Sequence, residues 1–431
     1  MAKYHVIGGK RLQGDVHISG AKNAALPILA AAVLNGGVSV IKNCPDISDV
    51  RVSVDILKKL GAYVDHDGNT LIIESKDIAK NNIDRYLMEK MRSSVIFAGS
   101  LLARCGEAVF SAPGGCALGK RPIDIHIESF KKLGIDVKEE NGEIICRRNK
   151  EKDCVIVLPI PSVGATENIM LASCIGKNTT TIKNAAAEPE IEDLQNFINS
   201  MGGKIVGAGT SEITIYGCEK MHDHEYTIMS DRIEEGTFMC MAAMAGGELF
   251  LKNTGGRKNK ALEEILCAVG CEISHANNEV WIKSEKILKG GIDIKTGYYP
   301  EFPTDMQPQI TALLALCKGE SHITENIFES RDRHIDELIK MGADIEKKDS
   351  RNFIIKGIER FNAANVYARD LRGGAALVAA AMCAEGESVI ENTEYISRGY
   401  EKFEDKLKNI GVSIESGNTE EGKEIRDDEK T

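Results

Sequence analysis

The sequence predicts an α/β fold built from one unit repeated six times, with three units in each of two domains. Three observations carry this. A helix-to-strand junction recurs as "KKLGAYV", "KKLGIDV", "NSMGGKI", "CAVGCEI", "IKMGADI" and "KNIGVSI". Its glycines, Gly61, Gly134, Gly202, Gly270, Gly342 and Gly411, stand 73, 68, 68, 72 and 69 residues apart. A fixed period marks one supersecondary unit packed against its copies. Each period also holds one helix that is apolar all round, as only a helix inside a domain can be. Finally, 431 residues suit two domains at roughly 100–200 residues each.

Each unit reads in the same order. It opens on the small-residue helix: "AALPILAAAVL", "SSVIFAGSLLA", "ATENIMLASCI", "GTFMCMAAMA", "PQITALLALC" or "GAALVAAAMCA". A Gly or polar turn such as "NGG", "AGGE" or "EGES" ends that helix. An alternating strand follows, as in "VSVIKN", "TTIKN", "ELFLKN" and "SVIEN". Then come a loop, an amphipathic helix, the glycine junction and a two-strand hairpin. In "AYVDHDGNTLIIES" the Asp67-Gly68 pair is the turn signal. Residues 417–431, polar and without period, read as a disordered tail.

Bulk composition limits the function. With 42% hydrophobic and 28% charged residues the chain is an ordinary globular one. Its net charge of −11 disfavours a nucleic-acid or anionic-membrane binder, though local cations can still hold a small anion. Twelve cysteines without a CxxC pair or Cys/His metal spacing read as reduced thiols of a cytoplasmic protein. "MAKYHVIGGK" lacks the apolar core of a signal peptide, and the longest apolar run, 24–34, is too short to span a bilayer.

Two sets of loops carry the unusual residues. Before the apolar helices stand Lys22-Asn23, Arg92, Ser162-Val163-Gly164, Asp231-Arg232, Asp305 and Arg372. Before the second helices stand Asp49 with Arg51, Cys116 with Arg121, Glu188 with Glu190, Arg257, Arg331 with Arg333, and Arg398. A single such charge is usually a solvated one. Six basic residues at repeat-equivalent helix starts (Lys22, Arg92, Arg121, Arg331, Arg372 and Arg398) point to an anion site, since helix ends add free N–H groups and positive charge. The loop "SAPGGCALGKRP" at 111–122 places Cys116 among glycines, near Lys120 and Arg121. An accessible thiol beside cations can serve as nucleophile or acid, or be an incidental loop cysteine. His126 reads as structural. No phosphate-cradling GxxxxGK[ST], dinucleotide GxGxxG, readable Ser-His-Asp order or metal cluster is present.

The chain resembles the UDP-N-acetylglucosamine 1-carboxyvinyltransferase (enolpyruvyl transferase) family from residue 1 to about 415. The matching motifs are "GAKNAALP" at 20–27, "PGGCALGKRPIDIH" at 113–126, "PSVGATENIM" at 161–170, "NAAAEPEIEDL" at 184–194, "DRIEEGTF" at 231–238, "FPTDMQPQ" at 302–309, "DLRGGAAL" at 370–377 and "RGYEKFEDKL" at 398–407. The resemblance implies the enolpyruvyl transferase fold, a two-domain inside-out α/β barrel. It places residues 22–229 in one domain and 1–21 with 230–431 in the other, with the site in the cleft. It implies transfer of the enolpyruvyl group of phosphoenolpyruvate to the 3′-hydroxyl of UDP-N-acetylglucosamine, with release of phosphate, by addition and elimination.

The family's residues carry over as follows. Cys116 matches the proton donor, which fosfomycin alkylates in the family, and Asp305 the base or the group orienting the sugar hydroxyl. Lys22, Arg121 and Arg398 match the phosphate clamp, with Asn23 beside it. Arg331 and Arg372 match the carboxylate side, and Asp370 a catalytic partner near the clamp. Asn23, Arg92, Arg121, Pro122, Ile123, Asp124, Ile125, Ser162, Val163, Gly164, Asp305 and Ile327 match contacts to the UDP-sugar. The resemblance implies no metal or cofactor, small-molecule substrates, no nucleic-acid, membrane or obligate protein partner, and a cytoplasmic location.

Three positions depart from the pattern. Ile160 stands where some members have a lysine. "GGRKNKAL" at 255–262 is unusually basic, and Asp332-Arg333 replaces a common apolar pair. The rival 5-enolpyruvylshikimate-3-phosphate synthase shares the fold and donor but lacks the cysteine loop. A non-catalytic UDP-sugar binder would not need Lys22, Cys116, Asp305 and Arg398 together.

Overall fold

The computed structural model describes residues 2–114, 123–149, 152–256, 259–285 and 288–418. The third unit shows the plan. Strand Cys154–Val157 leads into the buried helix Val163–Ser173, which returns the chain to strand Thr179–Lys183, parallel to the first. A parallel pair requires such a crossover. Helix Pro189–Ser200 then leads to the hairpin Lys204–Val206 and Glu212–Tyr216. Across the sheet the order is outer parallel strand, post-helix strand, second hairpin strand, first hairpin strand.

Four other units keep this order, and in three of them the chain borrows a strand from far away. Val38–Lys42 takes its parallel partner from His224–Thr227, and Gly247–Lys252 takes Leu12–His17. In the sixth unit Ala2–Ile7 stands where the second hairpin strand would be, between Glu387–Glu391 and Ser413–Asn418. The second unit keeps only a bridge, Asn82 to Val109, in place of the outer strand. The closure of the sixth unit corrects the expected tail: Gly417 and Asn418 pair with Lys3 and Ala2. Residues 419–431 lie outside the described residues.

The six junction glycines all adopt left-handed φ, between 82° and 116°. A side chain there would cost about 1–2 kcal/mol, so glycine ends the helix and starts the strand. A second repeated device follows four of the six post-helix strands. Asn43, Asn184, Asn253 and Asn392 have φ of 54–60°. Each donates its side-chain amide to the carbonyl just beyond the outer parallel strand, at Ile228, Leu158, Ile18 and Ala368. Asparagine tolerates this conformation and ties off the open end of the strand pair.

The buried apolar residues form two clusters. One gathers residues 21–228, the other 6–18 with 233–414. The apolar helices lie inside. Arg232–Ala245, Gln307–Leu314 and Leu371–Met382 pack on one another in the second cluster, and Phe97–Cys105 packs on Lys22–Ala31 and Val163–Ser173 in the first. The second unit's helix opens with a 3-10 turn, Arg92–Ile96. Two strands of chain cross between the lobes side by side, joined by the Gly20–Ser230 bridge and by Ala21 N–H to Met229 O and Asp231 N–H to Ser19 O. A Cβ on Gly20 would lie 1.7 Å from the Asn43 carbonyl oxygen, so only glycine fits this crossing.

Candidate active site

Where the lobes face each other, helix starts from four units bring charged side chains together. Lys22 is the first residue of helix Lys22–Ala31, and Asp49 the second of Ser48–Leu60. Asp305 sits in the 3-10 turn Thr304–Met306 that runs into Gln307–Leu314, and Arg372 is the second residue of Leu371–Met382. Arg398 ends the turn Thr393–Arg398. Polar side chains at helix starts meet free N–H groups rather than competing with the helix. Asp231 and Asp370 use this directly. Asp231 accepts from the N–H groups of Ile233, Glu234 and Lys22, and Asp370 from those of Arg372 and Gly373.

The cluster has two halves. On one side Asp49 bridges two cations: Lys22 Nζ is 2.8 Å from its Oδ2, and Arg398 Nε 2.9 Å from its Oδ1. On the other, Asp305 lies between Arg331, at 2.9 Å, and Arg372, at 3.4 Å. Arg331 also donates to Thr304 Oγ1, which donates to Glu325. Glu325 accepts from the N–H groups of Ile327 and Phe328, so Ile327 is held on the Asp305 side. Burial opposes the charge of Asp305, but Arg331 and Arg372 outweigh it and hold its carboxyl well below the usual range. Burial pulls the Lys22 ammonium down, and Asp49 offsets part of this against the repulsion of Arg398 and Arg372.

Tyr400 supports the Arg372 side. Its ring lies under the guanidinium, 5.3 Å from the centroid, and its hydroxyl meets Thr237 Oγ1 at 2.8 Å and Gln309 Nε2 at 3.1 Å. One phenol thereby links two buried helices to the arginine of a third. Sequence reading quoted the "RGYEKFEDKL" motif for its arginine and passed over this tyrosine.

Of the residues matched to the UDP-sugar, Asp305 and Ile327 belong to this cluster, and several others gather on the first lobe. Ser162 caps helix Val163–Ser173 through the Ala165 N–H. A Cβ on Gly164 would come 3.1 Å from the His126 ring. His126 is buried, bonded to Asn168, and pushed down to about 4 by burial and by the nearby Arg92. Asp124 begins the helix of His126, Asp124–Lys132, and Ile123 and Ile125 pack half-buried against the core. Asn23, half-buried, is the second residue of its helix. Arg92, Asp124, His126 and Gly164 thus share one wall of the first lobe. Cys116, Arg121, Pro122 and Arg257 lie outside the described residues.

Other loop residues do not join the site. Arg51 pairs with Asp46 on the surface, and Arg333 is exposed. Arg232 turns to Glu190 of the other lobe, at 2.9 Å. Ile160, at the position of a lysine in some relatives, is 44% exposed. Among the described residues no group of three His, Cys, Asp or Glu could hold a metal ion, and no helix is long and apolar enough to cross a membrane.

Comparison with known proteins gives the family. Residues 6–407 match the family model described as EPSP synthase (3-phosphoshikimate 1-carboxyvinyltransferase). The chain is 47% identical to UDP-N-acetylglucosamine 1-carboxyvinyltransferase 2 of Caldanaerobacter subterraneus, over 96% of this chain and 99% of that one. It is 45% identical to UDP-N-acetylglucosamine 1-carboxyvinyltransferase 2 of Clostridium acetobutylicum, with the same coverage. Among solved structures, the enolpyruvyl transferase NikO from Streptomyces tendae superposes with a TM-score of 0.88 at 22% identity, covering 96% of this chain and 98% of that one. EPSP synthase from Acinetobacter baumannii gives 0.74 at 16% identity, covering 97% and 100%. The two structures share the fold, the two relatives align over 96% of this chain, and the chain belongs to the EPSP synthase family and, within it, to the UDP-N-acetylglucosamine 1-carboxyvinyltransferases.

Proposed function

We propose that this chain transfers the enolpyruvyl group of phosphoenolpyruvate to the 3′-hydroxyl of UDP-N-acetylglucosamine and releases phosphate. The observation that carries the reading is the cluster of Lys22, Arg331, Arg372 and Arg398 around two carboxylates where the lobes meet. Four cations in one place suit a small, highly charged donor. We take the lobes to be residues 22–229 and 1–21 with 230–431. The acceptor lies along the wall of Arg92, Asp124 and Gly164, and the reaction runs in the cytoplasm on small molecules alone.

In the addition step the 3′-oxygen bonds to C2 of the donor, and the donor's C3 takes a proton from Cys116. In the elimination step a C3 proton returns to the Cys116 thiolate, the C2–O bond to phosphate breaks with its electron pair leaving on phosphate, and the enol ether remains. Lys22 and Arg398, with Arg121, hold the phosphate. Arg331 and Arg372 hold the carboxylate. Asp305, kept ionised by its two arginines, accepts the hydrogen bond of the sugar hydroxyl at every working pH. Such a carboxylate is a weak base. Its main work is to aim the hydroxyl and take its proton as the new bond forms.

The test is phosphate release from phosphoenolpyruvate with UDP-N-acetylglucosamine, using shikimate 3-phosphate as the control acceptor. Release with the UDP-sugar alone is expected. Release with shikimate 3-phosphate alone moves the chain to the sister activity. Cys116→Ser should lose most turnover, because a hydroxyl is a far weaker acid than a thiol of pKa about 8.5. Near-normal turnover of that variant would remove Cys116 as the proton donor.

A further inference from the structure

We propose that Asp49 is a positioning residue for the donor-phosphate site: its carboxylate keeps Lys22 charged and holds Lys22 and Arg398 together across the lobes. The inference rests on the reading of Lys22 and Arg398 as phosphate-binding cations. Asp49 was visible in the sequence only as one acid in a loop. In the fold its two oxygens face two different cations, one from each lobe. Its side chain is 4% exposed and that of Lys22 11%, so water screens this contact poorly.

The charges around Lys22 show why a carboxylate is needed there. Asp49, Asp231 and Asp305 face it with negative charge, and Arg372 and Arg398 with positive charge. Asp231 is engaged with three backbone N–H groups, that of Lys22 included. Asp305 is engaged with two arginines. Asp49 alone of the three makes a direct contact with the ammonium. Burial and both arginines favour loss of the lysine proton, and Asp49 opposes them. A neutral amine would not hold a phosphate. Removing Asp49 would also let the two cations repel each other and lose their shared anchor.

A purely structural tie between the lobes would look similar in a static picture, so the test must read the lysine's charge. Phosphoenolpyruvate binding would be measured by calorimetry from pH 7 to 10 in a Cys116→Ser background, where no thiol at that position titrates. Asp49→Asn keeps the side chain's shape and removes its charge; should it not fold, Asp49→Ser gives the same readout. The pH at which affinity is lost should fall by about 1–3 units in the uncharged variant, the usual effect of one close counter-charge. Asp49→Glu should keep the parent's midpoint to within half a unit. An unchanged midpoint in Asp49→Asn overturns the proposal, as does an equal loss of affinity by both variants at every pH. If the protein with Asp49 intact binds no phosphoenolpyruvate, the reading of the site itself is wrong, and the proposal falls with it.

Discussion

Among the described residues two arginine–carboxylate pairs of different depth join the lobes, and a third, exposed pair lies nearby within one lobe. Glu190 and Asp49 are each the second residue of the amphipathic helix of their unit. Glu190 takes Arg232 of the other lobe at 2.9 and 3.3 Å, with side chains 4% and 7% exposed. Asp49 takes Arg398 at 2.9 and 3.4 Å and adds Lys22, with Arg398 28% exposed. Asp46 takes Arg51 at 2.8 and 2.9 Å, the best geometry of the three, with the arginine 69% exposed. Distance therefore does not rank them. Burial sets what is lost when a partner goes, and access sets whether a ligand can share the charges. The Glu190 pair is sealed from solvent. The Asp49 pair is open on its arginine side, which is where the proposed donor would share its charges.

The sharpest way to break this ranking is Glu190→Gln. The guanidinium of Arg232 would stay buried beside Tyr299 without its direct partner, leaving only the more distant charges of Glu188 and Asp305. A loss of about 3–5 kcal/mol is expected, read as a lowered denaturant midpoint. A loss below about 1 kcal/mol would mean that water reaches the pair and that depth is not the deciding variable.

The histidines test depth without an ion pair. Burial holds His126 and His334 neutral, each with a pKa pushed down to about 4. In the unfolded chain they take up protons near pH 6.5. Between these values the unfolded state binds more protons, so stability is full above about pH 6.5 and falls as pH drops towards 4. Each histidine should contribute up to about 3 kcal/mol to that fall, at 1.36 kcal/mol per pKa unit. Urea unfolding across this range measures it, and His126→Asn should flatten the curve. A curve of the same slope in that variant would exclude His126 as a source.

What was legible in the sequence was what repeats or lies close along the chain. The six glycines gave the period because left-handed φ leaves little choice of residue. The apolar helices stood out because every face is buried. Lys22, Asp305, Arg331, Arg372 and Arg398 could be proposed from motifs, and the fold sets them together. Partnerships between distant residues were not legible. Asp49 and Arg398 are 349 positions apart, and nothing local marks them as neighbours. The strand Ala2–Ile7 reads as an isolated segment until the sixth unit is seen to lack one. The asparagine after four of the six post-helix strands was in plain view, as Asn43, Asn184, Asn253 and Asn392. Reading those four as tolerant of left-handed φ would have found the device.

Asp46→Asn sharpens the shallow end. Arg51 and Asp46 form a two-pronged contact that would rank first on geometry alone, and Asp46 is three residues from Asp49. Solvent screens the attraction, and ordering an exposed arginine costs side-chain entropy. The expected loss is about 0.2–1 kcal/mol, smaller still in high salt, with unchanged kcat and unchanged KM for phosphoenolpyruvate. The Asp49→Asn variant should instead move the pH dependence of donor binding. Equal effects of the two substitutions on donor binding would show that the whole loop shifts as a body. A change confined to Asp49→Asn leaves exposure as the property that separates a surface contact from one that serves the site.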